Sequence, residues 1–328
     1  MQRAGIGAFA FSDGQLVPTS KIPPPDADRN PGFSACAPAA IVGISLAMPA
    51  QSQEIGMLIG KGAMADVFAW GENRVIKLFL RELPLSKVEQ EFRAARSVAA
   101  SGLPVPSVFE MAEVEGRHGI VFERLHGASM LAQVQARPWK LCWAARQLAE
   151  LHAHVHSRAG PGDLPTFREI LRRRITANSK ASEHAHSEAL GELEKLADGE
   201  ALCHGDFHPD NILFTEGGVS IIDWSGASRG DPIGDVACTC HLIQNASLPP
   251  WTPRYMHLLL TISRRLLHAT YLKRYFELRP GGRDQIAAWL PVLAKAAEYW
   301  GTLPGRQNNP GRSRPKEDSN SSGFAAPH

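Results

Sequence analysis

The sequence has few cysteines, little imbalance of charge and no long apolar run. Its 328 residues include five cysteines, an odd number at scattered positions, which excludes a disulfide framework and indicates a reducing compartment. The formal net charge of +2 leaves no strong field for binding nucleic acid or a membrane surface. The most apolar stretch, residues 35–50, is shorter than the ~20 residues that span a bilayer. We therefore expect a cytoplasmic protein with no nucleic-acid or membrane partner.

Composition divides the chain into two polar ends and a folded middle. Residues 1–50 and 302–328 are rich in Pro, Gly and Ser without periodicity, which predicts a disordered extension and a disordered tail. Short β-branched and aromatic runs fill residues 51–125 together with one helical pattern, and helical patterns fill most of 126–301. We expect an α+β fold with a β-rich N-terminal lobe and a mostly helical C-terminal lobe.

A glycine-rich segment lies near the start of the N-terminal lobe. Gly60-Lys61-Gly62-Ala63-Met64-Ala65 has the G-x-G-x-x-G/A spacing that dinucleotide-binding folds place between a strand and a helix. Here a second strand follows instead of a helix, and Gly71-Glu72-Asn73 connects that strand to a third. The segment indicates a β-turn-β flap whose Gly60 and Gly62 let backbone N–H groups approach phosphates, or else a flexible turn.

A charged residue interrupts the third strand. Lys77 lies inside the apolar run Val75–Phe79, where a lone cation needs an anionic partner. The helix that follows starts with Ser86 and Glu89 in the spacing of a capping box, so we expect Glu89 to be engaged there. Glu91 lies on the side expected to be buried, and we expect it to pair with Lys77. The alternative is a lysine at a strand edge that reaches solvent.

The segment Cys203–Asp223 carries the most informative pattern of the chain. Its two β runs flank a Gly-rich turn, and centring that turn near Gly217 places Asn211 opposite Asp223. Asp206 lies in the loop that leads into this hairpin, so three oxygen-bearing side chains are expected to converge. Such a set is typical of Mg²⁺ sites completed by phosphates, and an aspartate there can accept a proton from an attacking hydroxyl. The alternative is a set of turn-forming residues.

Two other clusters do not indicate metal or redox chemistry. Among the three histidines near one helix end, only His152 and His156 share a face, and no four-ligand set is evident. Cys238 and Cys240 lack the C-x-x-C spacing, so we expect them to be buried helix thiols.

Taken together, these residues resemble the aminoglycoside phosphotransferase and choline kinase family, a small-molecule branch of the protein-kinase-like fold. The resemblance covers residues 55–300, and its specific motif is HGDFHPDN at 204–211, similar to the H-G-D-x-x-x-x-N catalytic loop of that family. Three further segments support it: Leu151-His152, Ile222-Asp223-Trp224, and Gly230-Asp231-Pro232 followed by Asp235. The resemblance implies a bilobal protein-kinase-like fold.

The resemblance also implies a role for each candidate residue. Asp206 would be the catalytic base, and Asn211 and Asp223 would bind Mg²⁺. Lys77, paired with Glu91, would hold the phosphates of ATP. These implications make the N-terminal lobe the nucleotide-binding part and the C-terminal lobe the part with the catalytic loop, the metal and the acceptor.

Three more implications concern backbone groups and bracing. The flap with Gly60 and Gly62 would cover the phosphates, and backbone groups near Glu123 and Leu125 would hold the adenine. Asp235 would brace the catalytic loop without touching substrate.

The implied reaction is transfer of the γ-phosphoryl group of ATP to a hydroxyl group of a small molecule. The alternatives are a catalytically inactive nucleotide-binding module and a protein kinase, although only seven residues separate Asp223 from Asp231, too few for a peptide-docking activation loop. From His241 to His328 there are twelve Lys and Arg against five Asp and Glu, which favours a neutral or anionic acceptor over a polycationic aminoglycoside. The identity of the acceptor and the oligomeric state stay open.

Overall fold

The computed structural model describes residues 9–12, 15–18, 55–62, 64–178, 181–245 and 254–298. Its strands are β1 (Phe9–Ser12), β2 (Gln15–Pro18), β3 (Ile55–Lys61), β4 (Ala65–Trp70), β5 (Arg74–Phe79), β6 (Val108–Val114), β7 (Arg117–Glu123), β8 (Gly127–Ser129), β9 (Ala201–Cys203), β10 (Ile212–Thr215), β11 (Gly218–Ile221) and β12 (Ser228–Gly230). Its helices are α1 (Leu85–Ala99), α2 (Met130–Ala136), α3 (Leu141–Val155), α4 (Phe167–Thr176), α5 (Glu183–Lys195), α6 (Pro232–Asn245), α7 (Arg254–Leu278) and α8 (Ile286–Glu298).

The two polar ends are mostly outside this description. Within residues 1–50, which we expect to be disordered, β1 and β2 pair as a short antiparallel hairpin. The other residues of that extension and the whole tail 302–328 lie outside the described residues, so disorder there stays a prediction.

The N-terminal lobe is a five-stranded antiparallel sheet in the order β3-β4-β5-β7-β6. Side chains alternate along β5, so Ile76 and Leu78 pack on one face of the sheet with Trp70. Phe79 packs on the other face against Val88 of α1. The same alternation places Lys77 on the α1 face, which is how a residue of a strand comes to meet a residue of that helix.

The start of α1 differs from the predicted capping box. The helix begins at Leu85 after Pro84, and the structure shows no side-chain hydrogen bond at its N-cap. The backbone N–H of Lys87 donates to the carbonyl of Pro84 at 2.9 Å, so the first turn closes earlier than predicted. Ser86 therefore lies inside the first turn, where its hydroxyl cannot cap the helix, and the predicted engagement of Glu89 is wrong.

The C-terminal lobe is mostly helical, as predicted. Helix α3 packs along α7, α6 packs against α7 and α8, and α4 and α5 pack against α8. Two small sheets, with strand orders β11-β10-β8 and β12-β9, contact the helices of this lobe. A β-rich lobe followed by a helical lobe confirms the predicted α+β architecture. No helix within the described ranges has both the length and the apolar character to cross a membrane.

The register of the β10–β11 hairpin differs by one residue from the prediction. Thr215 pairs with Gly218 across a two-residue turn, so Asn211 lies opposite Ile222, whose N–H donates to its carbonyl at 2.9 Å. A shift of one residue turns every side chain of a strand to the other face. Asp223 does not continue the strand, because its φ of 60° turns the chain into the left-handed region. Its side chain thereby still reaches the candidate site.

Candidate active site

Three charged side chains meet where the two lobes face each other. The ammonium nitrogen of Lys77 is 2.6 Å from Oε1 of Glu91 and 2.8 Å from Oδ1 of Asp223. The first contact confirms the ion pair predicted between β5 and α1. The second was not predicted, and it joins a strand of the N-terminal lobe to the end of β11 in the C-terminal lobe. One cation thus holds two carboxylates together.

Burial and charge determine the protonation of this trio. Burial acts to raise the pKa of Asp223, but the charge of Lys77 and its hydrogen bond lower that pKa to about 2. Burial raises the pKa of Glu91 despite the opposing charge of Lys77. Burial opposes the charge on Lys77, yet the two carboxylates raise its pKa above the ordinary value. At neutral pH, Lys77 and Asp223 are therefore both charged.

The backbone of the catalytic-loop motif is held by Asp235 at the start of α6. Its Oδ2 accepts the backbone N–H of His204 at 2.6 Å, and its Oδ1 accepts the N–H of Gly205 at 2.9 Å. Gly205 has φ 76°, and a Cβ there would lie 2.6 Å from the carbonyl oxygen of Gly226. Only glycine fits that position without strain. The contacts agree with the bracing that the resemblance implies for Asp235.

Asp206 lies in this loop with His208 and Asn211. The amide nitrogen of Asn211 donates to the carbonyl of Asp206 at 2.9 Å, and Nε2 of His208 lies 3.6 Å from Oδ2 of Asp206. Burial acts to raise the pKa of Asp206, but the hydrogen bond and charge of His208 lower it. Asp206 is therefore ionised at neutral pH and able to accept a proton.

His204 supports the loop rather than facing a substrate. The backbone N–H of Asp206 donates to its Nδ1 at 3.2 Å, so Nε2 carries the proton and donates to the carbonyl of Ile222 at 3.1 Å. Burial lowers the pKa of His204, which favours this neutral form. One ring nitrogen is thus bonded within the loop, and the other joins the loop to the end of the hairpin.

The flap is a β-turn-β segment, as predicted, while its contact with phosphates and the adenine-binding role of Glu123 and Leu125 stay predictions. Gly62 closes the β3–β4 turn by donating its N–H to the carbonyl of Ala65 at 2.8 Å, and a Cβ on Gly62 would lie 2.9 Å from that oxygen. Gly60 lies near the end of β3, where a Cβ would lie 3.9 Å from the Cβ of Val67, an ordinary contact distance. The N–H of Glu123 is used by the carbonyl of Ser107. Within the described ranges the backbone of Leu125 forms no hydrogen bond with another backbone group.

The oxygen donors of the site fit a hard divalent cation. Asp223 carries a second carboxylate oxygen beyond the one that contacts Lys77. The amide nitrogen of Asn211 is turned toward the loop, which leaves its amide oxygen as the group able to ligate a cation. Carboxylate and amide oxygens are the ligands that Mg²⁺ prefers, with phosphates completing its shell.

Two contacts of the site were missing from the sequence interpretation. The pairing of Lys77 with Asp223 had no local signal, because 146 positions separate them. The second contact is made by His208. It caps the turn Pro209–Asn211 by accepting the N–H of Asp210 on Nδ1 at 3.2 Å. The His-Pro-Asp order was the available signal, since such residues favour turns.

The chain matches the model of the phosphotransferase enzyme family over residues 56–297. It is 30% identical over 173 residues to acyl-CoA dehydrogenase family member 11 of Gallus gallus, covering 46% of this chain and 22% of that protein. It is 24% identical over 178 residues to acyl-CoA dehydrogenase family member 10 of Mus musculus, covering 47% and 16%. The matched part is therefore about a fifth of the length of these curated relatives.

A solved structure shares the fold. The crystal structure of an aminoglycoside-3'-phosphotransferase of type VIII superposes with a TM-score of 0.52 at 20% sequence identity, covering 74% of this chain and 93% of that one. This likeness confirms the predicted bilobal fold and, at such identity, concerns the fold alone.

Proposed function

The chain belongs to the phosphotransferase enzyme family, and we propose that it transfers the γ-phosphoryl group of ATP to a hydroxyl group of a small molecule. The observation that carries this proposal is the meeting of Lys77 with Glu91 and Asp223, beside an ionised Asp206. A cation fixed by two carboxylates from different lobes sits where phosphates can be bound between them. An ionised carboxylate close by is the group that phosphoryl transfer requires to receive a proton.

In the proposed mechanism, each residue has one task. Lys77 binds the α- and β-phosphates, and Glu91 holds its ammonium group in place. Asp206 accepts the proton of the acceptor hydroxyl as the oxygen–phosphorus bond forms and the bond to the β-phosphate oxygen breaks, releasing ADP. Asn211 and Asp223 would hold Mg²⁺, which when bound neutralises charge on the phosphates. Backbone groups of Leu125 would hold the adenine.

The charge of α7 bears on the acceptor. This helix carries five Lys and Arg and one Glu. A polycationic antibiotic needs a site lined with carboxylates, because like charges repel in a partly desolvated cleft. We therefore infer a neutral or anionic hydroxyl-bearing metabolite as the acceptor class. Sub-millimolar, saturable phosphorylation of a kanamycin-type substrate would contradict this inference.

The nucleotide site is tested by thermal unfolding with ATP, GTP and Mg²⁺, added separately and together. A ligand present at a hundred times its Kd stabilises the native state by about 2.7 kcal/mol, and this raises the melting temperature. We expect a shift that needs nucleotide and Mg²⁺ together and that Asp223→Ala abolishes. No shift with either nucleotide would refute the proposed site.

The base is tested separately by turnover. We expect Asp206→Asn to abolish phosphoryl transfer while ATP affinity stays nearly intact, because the carboxylate acts on the acceptor proton and not on the nucleotide. Asp210→Asn is the matched control, since Asp210 lies in the same loop but is bonded to Ser129 at 2.7 Å. Comparable kcat in Asp206→Asn and the wild type would refute the assignment.

A further inference from the structure

A buried group of four side chains lies between α3 and α7 and contacts the catalytic loop through Asp235. We call it the tyrosine–histidine cluster: His152, His156, Tyr271 and Tyr275. All four and Asp235 are at most 3% exposed. Nε2 of each histidine lies close to Oδ2 of Asp235, at 3.1 and 3.2 Å. Nδ1 of each histidine lies 2.7 Å from a tyrosine hydroxyl, that of Tyr271 for His152 and that of Tyr275 for His156.

The direction of every hydrogen bond in the cluster follows from Asp235. Its Oδ2 also accepts the backbone N–H of His204, so this oxygen has no proton to give. Burial acts to raise the pKa of Asp235, but the hydrogen bonds from His152 and His156 hold it well below the usual value. Each histidine must then donate from Nε2, and in a neutral ring Nδ1 is left to accept. Burial lowers the pKa of His152 to about 3, so that ring is neutral.

The hydroxyl of Tyr271 must therefore donate to Nδ1 of His152, and Tyr275 lies in the same geometry toward Nδ1 of His156. Burial raises the pKa of both Tyr271 and Tyr275, which keeps each phenol protonated and able to donate. The same three ligand atoms, from His152, His156 and Asp235, also lie within reach of a metal ion. Hydrogen bonds between the two Nε2–H groups and Oδ2 already satisfy all three atoms, whereas a structural metal site needs a fourth ligand. The proton network is thus the simpler account.

We propose that Tyr271 and Tyr275 are positioning residues of the catalytic loop. Their hydroxyls hold the rings of His152 and His156 at Nδ1, with Nε2 facing Asp235, and the histidines then hold Asp235 in the orientation that binds the N–H groups of His204 and Gly205. Helix α7, whose own residues lie outside the loop, is in this way connected to the segment that carries Asp206. Only the catalytic consequence of this inference rests on the proposed function.

The test compares Tyr271→Phe, Tyr275→Phe and the double variant with the wild type. Each substitution keeps the buried ring and removes one hydroxyl. Leu193→Ala is the matched control, because Leu193 is fully buried on α5, which packs mainly against α4 and α8. It lowers stability through the core of the same lobe without changing a hydrogen bond of the cluster.

Two readouts do not depend on activity. Side-chain ¹⁵N chemical shifts should show Nδ1 of His152 and His156 unprotonated in the wild type. The Nδ1 shift of His152 should change in Tyr271→Phe and that of His156 in Tyr275→Phe, because each variant removes the hydrogen bond at that nitrogen. Amide hydrogen exchange at His204 and Gly205 should become about tenfold faster in the double variant, the ratio expected when a buried hydrogen bond worth roughly 1.4 kcal/mol is lost. Leu193→Ala should leave exchange at these two amides unchanged relative to the rest of the lobe.

Three results would overturn the inference: wild-type protonation on Nδ1, unchanged exchange in the double variant, or an equal rise in Leu193→Ala. A stoichiometric metal retained by the purified protein and lost in the Phe variants would also overturn it. If the wild type turns over ATP, the double variant should lose kcat with KM for ATP unchanged. If the wild type has no turnover, the proposed function fails while the tautomer and exchange results still decide this inference.

Discussion

The charged trio around Lys77 provides the sharpest quantitative prediction. Lys77→Met keeps a long unbranched side chain on β5 but removes the cation that Glu91 and Asp223 share at 2.6 and 2.8 Å. Breaking a buried ion pair by removing one partner costs about 3–5 kcal/mol. The side chain of Asp223 is 36% exposed, so water screens part of this cost. We expect the free energy of unfolding at neutral pH to fall by about 2–3 kcal/mol.

The loss of unfolding free energy in Lys77→Met should depend on pH, and Glu91 determines whether it grows or shrinks as the pH rises. Burial already raises the pKa of Glu91 above 4.5 with Lys77 present. Without the cation, burial and the carboxylate of Asp223 act together, and this pKa rises further. A carboxyl group whose pKa is raised in the native state destabilises that state only when it ionises. The destabilisation is absent below the pKa of the unfolded chain and is complete above the native pKa. The destabilisation should therefore grow as the pH rises from the ordinary pKa of a glutamate through the raised native pKa of Glu91.

The assay is urea unfolding of both proteins across that pH range, with the difference in unfolding free energy as the result. Arg74→Met is the matched control on the same strand, because its ion pair with Glu110 is 3.6 Å long and largely exposed. Exposed pairs contribute about 0–1 kcal/mol, so the control should change little. A Lys77→Met loss as small as that of the control, or one independent of pH, would refute the reasoning.

Two further predictions concern backbone geometry. Gly205→Ala should lower the unfolding free energy by about 2 kcal/mol or more, because φ is 76° and the new Cβ meets the backbone of Gly226. Gly191→Ala, inside α5 with open space around it, should instead stabilise the protein by roughly 0.5–1 kcal/mol. A urea-unfolding experiment in which Gly205→Ala is the more stable of the two variants would contradict both predictions. Thr166→Ala should cost about 1 kcal/mol by removing the capping box with Glu169, and an unchanged melting temperature would exclude that cap as a source of stability.

Prediction from the sequence worked best where it rested on a local pattern of residues. The alternation of β5 places Lys77 on the same face as Phe79, and helical spacing places Glu91 on the buried side of α1. The expectations that failed were fine details of local geometry. The helix start moved because Pro84 accepts a hydrogen bond before Ser86 can cap. The hairpin register moved because the turn has two residues rather than a centre on Gly217.

Contacts between distant segments could not be predicted in this way. The meeting of Asp223 with Lys77 depends on the docking of two lobes, and on a left-handed residue that redirects the chain after β11. His152 and His156 are four residues apart, as are Tyr271 and Tyr275, so each pair lies on one face of its helix. This matching spacing is the pattern in the sequence that corresponds to the network. It becomes a hydrogen-bond network only because α3 and α7 pack side by side at one register.

The sequence by itself determined the α+β class, the order of the two lobes and the residues of the H-G-D-x-x-x-x-N motif, since each follows from patterns within a few positions of the chain. The tertiary structure decided which oxygens face Lys77, how Asp235 is held and where the loop that carries Asp206 lies. Those contacts join residues far apart in the chain. Their geometry is set by packing summed over the whole core, which no local pattern of residues encodes.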